Sequence, residues 1–270
     1  MDFSQGIAFI GGGNMAEALA GGIARSGILP PGSIVLSHYR AQRREYLRET
    51  LGFKVTPDNV EAVKSSGTIF LSLKPRVIPE VLEEISGAFD QGHLVISIAA
   101  GITLSFLETR LPGIPVIRSM PNTPALIGAG ATVIVPGTHV RPGMVEWAVR
   151  LFQCTGACQV LSEDLMDAVT GLSGSGPAYL FRMAEALTEA GVSLGIPKEQ
   201  AFELVKQTIL GAARMMTETE DTPARLREKV ASPGGTTEAA LKSLEQNGFM
   251  EMVKEAVTAA AKRSRELGKS

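Results

Sequence analysis

What the 270-residue chain lacks narrows its class before any motif is read. It has two cysteines, Cys154 and Cys158, too few for a disulfide scaffold, so a reducing compartment is the simpler expectation. It has no surplus of either charge. Its 26 basic and 28 acidic residues leave a net charge of −2, which offers nucleic acid no cationic surface. The longest apolar run, around residues 94–102, falls far short of the roughly 20 residues of a membrane helix. The start carries no lysine or arginine and runs directly into glycines, so no signal peptide is expected. A cytoplasmic protein with no membrane or nucleic-acid partner is the reading. Histidine is scarce, with three residues, and no His/Cys/Asp/Glu group has metal-ligand spacing, so no metal is expected. Cys154-x-x-x-Cys158 reads as two buried thiols near a strand. The 29 glycines follow no period, which excludes collagen-like and low-complexity chains. With 44% hydrophobic and 20% charged residues, the chain can fill a core of one large domain or two ordinary ones.

Short apolar runs alternate with amphipathic segments through the first part. Strands are expected at 7–10, 33–37, 68–73, 94–98, 115–118 and 131–135, with a weaker one near 159–161. Helices are expected at 14–26, 41–51, 77–85 and 104–111. Continuous apolar strands between helices predict an α/β, doubly wound sheet with parallel pairing. After about residue 165 the pattern turns all-helical, over 177–194, 198–218, 222–229, 236–246 and 249–267. A domain boundary is expected at 163/164, giving domains 1–163 and 164–270. In the second, Ala184, Leu187, Ala190 and Leu194 share a helix face, as do Val205, Ile209, Ala212, Ala213 and Met216; most read as core within the domain. So short a domain of long helices also leaves apolar faces in need of cover, which points to burial between subunits.

Gly11-Gly12-Gly13-Asn14-Met15-Ala16 follows the first strand and opens a helix, matching G-x-G-x-x-G/A at Gly11, Gly13 and Ala16. The helix start offers unpaired N–H groups to a dinucleotide pyrophosphate. The second strand ends at Ser37-His38-Tyr39-Arg40, without the acid that would bind a ribose 2′-hydroxyl. Arg40, Arg43 and Arg44 instead suit the 2′-phosphate of NADPH, one of the latter two being expected only to solvate the helix face. NADH is the second choice. Lys74-Pro75 and Ala99-Ala100-Gly101 follow the next strands at the same sheet edge and join the cofactor set.

Two further loops lead into helices. Gly171-Leu172-Ser173-Gly174-Ser175-Gly176-Pro177 and Ser232-Pro233-Gly234-Gly235-Thr236-Thr237-Glu238 expose backbone N–H groups and hydroxyls that could hold a small carboxylate. Ordinary helix capping is an equal reading for either loop alone. The first does not satisfy G-x-S-x-G and no strand leads into it, which argues against a serine hydrolase.

These motifs, with Met120-Pro121-Asn122-Thr123-Pro124 and Asp167-Ala168-Val169-Thr170 leading into the first loop, make the chain resemble the Δ1-pyrroline-5-carboxylate reductase family over essentially its whole length. The resemblance implies a Rossmann-type N-terminal domain and an all-helical C-terminal dimerisation domain, in a homodimer that often assembles further into a decamer. It implies NAD(P)H-dependent reduction of the cyclic imine Δ1-pyrroline-5-carboxylate to L-proline, the last step of proline biosynthesis. It implies cofactor contacts from Ile10, Gly11, Gly12, Gly13, Asn14 and Met15, then His38, Asn59, Leu73, Lys74 and Ala100. It implies a substrate site at Glu220, Thr236 and Thr237, with the loop of Ser173, Gly174 and Ser175 nearby and Gly235 adjoining. Thr237 is the candidate hydrogen-bond partner of the imine nitrogen, and Ser173 the second candidate catalytic hydroxyl. Two positions depart from some relatives: His38 replaces a small hydroxyl residue, which shifts phosphate contacts to Arg40, and Thr236 replaces alanine, harmless where only its N–H is used. A β-hydroxyacid dehydrogenase on the same plan would place a lysine on helix 177–194, which has none. A non-catalytic NADP-sensing protein would have lost the Gly-Gly-Thr-Thr stretch, which is intact.

Overall fold

Alternation of side chains along each apolar run decides which helices cover which side of the sheet. The computed structural model describes residues 4–268, so the outermost residues of both expected domains lie outside the described residues. The strands are Ile7–Ile10 (β1), Ile34–Ser37 (β2), Lys54–Thr56 (β3), Thr68–Leu71 (β4), Leu94–Ser97 (β5), Val116–Met120 (β6), Gly130–Pro136 (β7) and Gly156–Val160 (β8). They form one sheet in the order β3-β2-β1-β4-β5-β6-β7-β8. The helices of this half are Asn14–Ser26 (α1), Ala41–Leu51 (α2), Asn59–Lys64 (α3), Ile78–Ile85 (α4), Leu104–Arg110 (α5), Pro142–Gln153 (α6) and Met166–Val169 (α7). Ile7 and Phe9 face α1 and α6, while Ala8 and Ile10 face α3 and α4. The Phe9 and Phe70 rings stack with centroids 4.6 Å apart, and Phe152 of α6 meets Phe70 edge-on at 5.8 Å.

Parallel pairing holds except at one place. β6 and β7 are antiparallel, with Ile117 opposite Pro136. Between them lies only a short 3₁₀ turn, Thr123–Ile127, and so brief a connection cannot make the crossover a parallel pair requires. Four elements lie outside the sequence expectation: β3, α3, α6 and the single turn α7. α6 carries a clear stripe of Met144, Trp147, Ala148, Leu151 and Phe152, all buried, behind a proline at its first turn. Trp147 donates its indole N–H to Thr68 at 3.0 Å.

The cysteines are half-buried rather than buried, and are not joined. Cys154 ends α6, where its thiol meets Ser26 and the Arg150 carbonyl. Cys158 lies on the edge strand β8, and partial burial pushes its thiol up to about 11.

The second half is Gly176–Ser193 (α8), Lys198–Glu218 (α9), Pro223–Val230 (α10), Thr236–Gln246 (α11) and Phe249–Leu267 (α12). Residues 176–258 form one compact unit, and 259–268 belong with 4–175. Within 176–258 only Ala201 and Leu226 are buried apolar side chains. Leu187, Ala190, Leu194, Ala212, Ala213 and Met216, expected as core, are exposed, and Ala184, Val205 and Ile209 are half-buried. The helices are long, and their own unit has too few neighbours to cover them. No helix among the described residues is long and apolar enough to cross a membrane.

Two adjacent glycines of α1 give a contrasting test. A Cβ on Gly22 would lie 2.3 Å from the Thr155 methyl and 3.0 Å from the Cys154 carbonyl, whereas one on Gly21 would meet only the flexible end of Arg25, at 3.1 Å. Gly22→Ala should therefore cost about 1–3 kcal/mol through overpacking. Gly21→Ala should be neutral or stabilising by up to about 1 kcal/mol, the helix-propensity gain. Denaturant melts of the two variants measure the difference, and equal effects would refute the packing account.

Candidate functional site

Parallel register brings four strand ends to one level. Ile10 pairs with Ser37 on one side and Leu71 on the other, and Leu71 pairs with Ser97. The segments that leave β1, β2, β4 and β5 therefore emerge side by side at the carboxyl edge, where strand order reverses about β1.

The glycine loop is built by steric necessity at two positions and by openness at the third. Gly11 has φ +100°, and a Cβ there would lie 2.6 Å from the Ser72 carbonyl. A Cβ on Gly12 would lie 2.8 Å from the Leu47 side chain, whereas nothing lies within 4 Å of one on Gly13. Gly13 is thus not demanded by the protein's own packing, and its open face suits a ligand pressed against the backbone. Ala16 is buried under the strands, as its place in the motif requires. The N–H groups of Gly11 and Gly12 donate to the Ser37 carbonyl at 3.2 and 2.8 Å, and that of Gly13 to Gly11 at 3.0 Å. Among the described residues, the N–H groups of Asn14 and Met15 have no acceptor, and the Gly13 cap supplies no side-chain oxygen. They are the donors left for an anion, at the positive end of α1.

Ser37 is the hub of this loop. Its hydroxyl accepts from Gly11 N–H at 3.3 Å and donates to Asn59 Oδ1 at 2.6 Å, while Asn59 Nδ2 donates to Glu84 at 3.0 Å. Asn59, expected as a cofactor contact, has both polar atoms engaged and acts on the loop through Ser37. Ser72 donates its hydroxyl to the carbonyls of Ile10 and Gly11 at 3.0 and 2.8 Å. The sequence reading passed over Ser37, Ser72 and Ser97, although each follows an apolar run at a strand end, a recurring signal. Lys74 and Pro75 are exposed, Leu73 is half-buried, and Ala99 is buried beside the half-buried Ala100.

The three arginines divide their work. Arg43 donates Nε to the Gly12 carbonyl at 2.8 Å and pairs with Glu17 at 2.5 Å. Arg44 donates to the carbonyls of His38 and Tyr39 at 2.7 and 2.9 Å. Neither merely solvates a helix face: both fix the backbone of the site, because a guanidinium can reach several acceptors from one stem. Arg40 has no ion pair among the described residues and lies over the exposed Tyr39 ring at 5.1 Å, with His38 stacked on that ring at 4.8 Å. Burial, with the charges of Arg43, Arg40 and Arg44, holds His38 below its ordinary pKa. It is therefore neutral near pH 7 and adds no charge to that of Arg40.

The loop before α8 is a π-helical turn, Thr170–Gly174, closed by Ser175 N–H on the Thr170 carbonyl at 2.9 Å. Ser173 donates its hydroxyl to the Val169 carbonyl at 3.2 Å, so what its oxygen retains is acceptor capacity. Ser173, Gly174 and Ser175 are half-buried.

In the helical unit, α11 starts on Gly235, and no side chain caps it. Glu238 reaches back to accept the Gly234 N–H at 2.5 Å. A Cβ on Gly235 would lie 2.6 Å from the Ser232 hydroxyl. The N–H groups of Thr236 and Thr237, and the hydroxyl of the half-buried Thr237, have no partner among the described residues. Capping thus does not account for Thr237. Glu220 is exposed in the turn after α9, and no hydrogen bond joins it to Thr236 or Thr237.

Residues 163–267 match the family model for pyrroline-5-carboxylate reductase dimerisation, and residues 6–101 match one described as NADP oxidoreductase, coenzyme F420-dependent. A pyrroline-5-carboxylate reductase from Synechocystis sp. is 44% identical over 97% of this chain and 98% of its own length. A solved pyrroline-5-carboxylate reductase from Coxiella burnetii superposes with a TM-score of 0.94 at 38% identity, covering 99% of this chain and all of the other. The Plasmodium falciparum pyrroline carboxylate reductase, solved with NADP bound, superposes with a TM-score of 0.88 at 30% identity, covering 99% of this chain and 100% of that one.

Proposed function

The chain belongs to the pyrroline-5-carboxylate reductase family, and on that premise we propose that it reduces Δ1-pyrroline-5-carboxylate to L-proline with NADPH. The observation that carries this reading is the pair of uncommitted helix starts, Asn14-Met15 after the glycine loop and Thr236-Thr237 after Gly235. One suits a pyrophosphate and the other a small carboxylate.

When bound, NADPH supplies a hydride to the C=N carbon, and the imine nitrogen takes a proton, giving the secondary amine and NADP⁺. The chain's task is to bind and orient. Asn14 and Met15 N–H hold the pyrophosphate, Arg40 takes the 2′-phosphate, and Leu73, Lys74, Pro75, Ala99 and Ala100 border the dinucleotide along the sheet edge. The N–H groups of Thr236 and Thr237 hold the substrate carboxylate, with Glu220 and the Ser173–Gly174–Ser175 turn as further substrate contacts. The Thr237 hydroxyl bonds the ring nitrogen. No acid–base pair is needed where the imine enters protonated, so proximity and orientation carry the acceleration.

We assign the uncovered faces of α8, α9 and α12 to a homodimer, with a decamer built from such dimers as its further assembly. The support is the exposure of Leu180, Phe181, Leu204, Leu210, Met250 and Met252, an apolar surface of the kind that monomers seldom leave open. Light scattering should give a dimer or a multiple of it, and a stable, active monomer would refute the assignment.

Arg40→Glu should weaken NADPH by roughly tenfold to a hundredfold, the worth of one charge-assisted phosphate contact, and leave NADH nearly unchanged. Titration with both cofactors tests this, and equal losses would remove the 2′-phosphate role.

Thr237→Val keeps shape and removes a hydroxyl that holds no helix cap. Melting should change by less than about 0.5 kcal/mol, as for a surface substitution. If the hydroxyl bonds the nitrogen more strongly in the transition state, kcat/KM for pyrroline-5-carboxylate should fall roughly tenfold to a thousandfold. Thr236→Ala, which keeps the N–H, is the control with little effect. Steady-state assay with NADPH and the imine tests the activity itself, and wild-type turnover by Thr237→Val would remove its catalytic role.

A further inference from the structure

Met120 ends β6 and Pro121-Asn122 follow it directly, and none of the chemistry above uses them. Asn122 is 8% exposed, and both ends of its amide are engaged. Oδ1 accepts from Ala131 N–H of β7 at 2.9 Å, and Nδ2 donates to the Ser173 carbonyl at 3.1 Å. The partners dictate this orientation, since an N–H can only donate and a carbonyl only accept.

The Ser173 carbonyl needs that donor for a reason written in the sequence. In a continuing α-helix it would accept from the N–H four residues on, but that residue is Pro177, which has none. The π turn closes one bond earlier, from Ser175 to Thr170, and does not serve Ser173. A carbonyl left unmade in a half-buried turn costs free energy, and the Asn122 amide removes that cost. The same short segment also touches the next residue: a Cβ on Gly174 would lie 2.5 Å from the Met120 methyl, so the glycine lets Met120 lie flat against the turn.

We propose that Asn122 is a positioning residue for the reaction: it substitutes for the N–H that Pro177 lacks and pins the Ser173–Gly174 turn to the sheet, in the geometry that receives the substrate. The inference rests on the reading of that turn as a substrate contact. The pin ties the turn to both β6 and β7, whose antiparallel pairing brackets Asn122. The turn thereby inherits the rigidity of the sheet rather than of the helix that follows it.

Asn122→Asp tests this. The carboxylate still accepts from Ala131 but offers Ser173 an acceptor against an acceptor. Hydrogen exchange on the substrate-free protein should show faster exchange at amides 171–176. KM for pyrroline-5-carboxylate should rise about tenfold, the effect of one lost hydrogen bond, while kcat and the NADPH dissociation constant move less than about twofold. A merely structural role would instead lower the active fraction, reducing kcat with KM unchanged, and that outcome would overturn the proposal. Unchanged exchange would overturn the pin itself. Faster exchange with wild-type kinetics would overturn the turn's part in substrate binding, and the role of Asn122 with it. A wild-type chain inactive on the imine would instead bear on the activity, leaving the exchange result to judge the pin. Should Asn122→Asp not fold, Asn122→Ser, too short to span to Ser173, gives the same three readings.

Discussion

The bonds that Ser37 makes to the glycine loop set the character of the nucleotide half. One carbonyl takes the N–H groups of both Gly11 and Gly12, and one hydroxyl links Gly11 to Asn59. Those bonds consume the donors that a reading of the motif alone would give to phosphate. What remains unpaired is the first turn of α1, so the open donors are the backbone N–H groups of Asn14 and Met15 rather than those of the glycines. The hub exists because parallel register sets Ser37 beside Ile10, and because Arg43 and Arg44 clamp the surrounding carbonyls. Arg40, by contrast, makes no ion pair among the described residues and lies over the Tyr39 ring.

Unpaired backbone groups give a common account of both halves. α3, α5 and α10 close their first turns with Asp58, Thr103 and Thr222. α1 and α11 start on glycine, without side-chain caps, and leave N–H groups open. A glycine cap is only about a few tenths of a kcal/mol weaker than a side-chain cap, so leaving these starts open costs the fold little. At the turn before α8 the defect has the opposite sign. There a carbonyl, not an N–H, loses its partner, and the protein repairs it internally with Asn122. The N–H groups at the starts of α1 and α11 stay open, while the carbonyl at this turn is filled from within.

The parts legible in the sequence were those in which local pattern and tertiary role coincide. β1, β4 and β5 are buried on both faces, so their apolar runs needed no context, and α1 announced itself through its glycine start and its stop at Gly27. β3 was not legible, since three residues opening on Lys54 carry little pattern and owe their extension to pairing with β2. α6 hid behind Gly137, Pro142 and Gly143, although its apolar stripe was regular. The antiparallel turn of β7 depends on the brevity of a connection, not on its composition. Of the candidate site, the glycines of the motif lie between β1 and α1, as its strand-to-helix pattern required. The positions of Ser37, Ser72 and Asn122 were legible but their bonds were not, because a hydrogen bond between residues far apart in the chain leaves no mark on periodicity.

The helical half exposes a different limit of sequence reading. Its apolar spacing is as regular as that of any core helix, yet only Ala201 and Leu226 are buried apolar residues within 176–258. Periodicity reports that a face must be covered and says nothing of which chain covers it. At about 25 cal/mol per Å² of apolar surface, a unit that leaves most of its leucines and methionines open forgoes the main favourable term of folding. Local helix propensity, worth at most about 1 kcal/mol per residue, does not replace it. The dimerisation match over 163–267 therefore carries an energetic meaning: in this part of the chain, association supplies what an internal core supplies elsewhere. Where association covers such faces, folding and association are one equilibrium, and stability rises with protein concentration. The Thr236–Thr237 helix start lies in this same unit. The proposed substrate side thus lies in a unit with little core of its own, whereas the sheet half, with a core on each face, draws on its own burial.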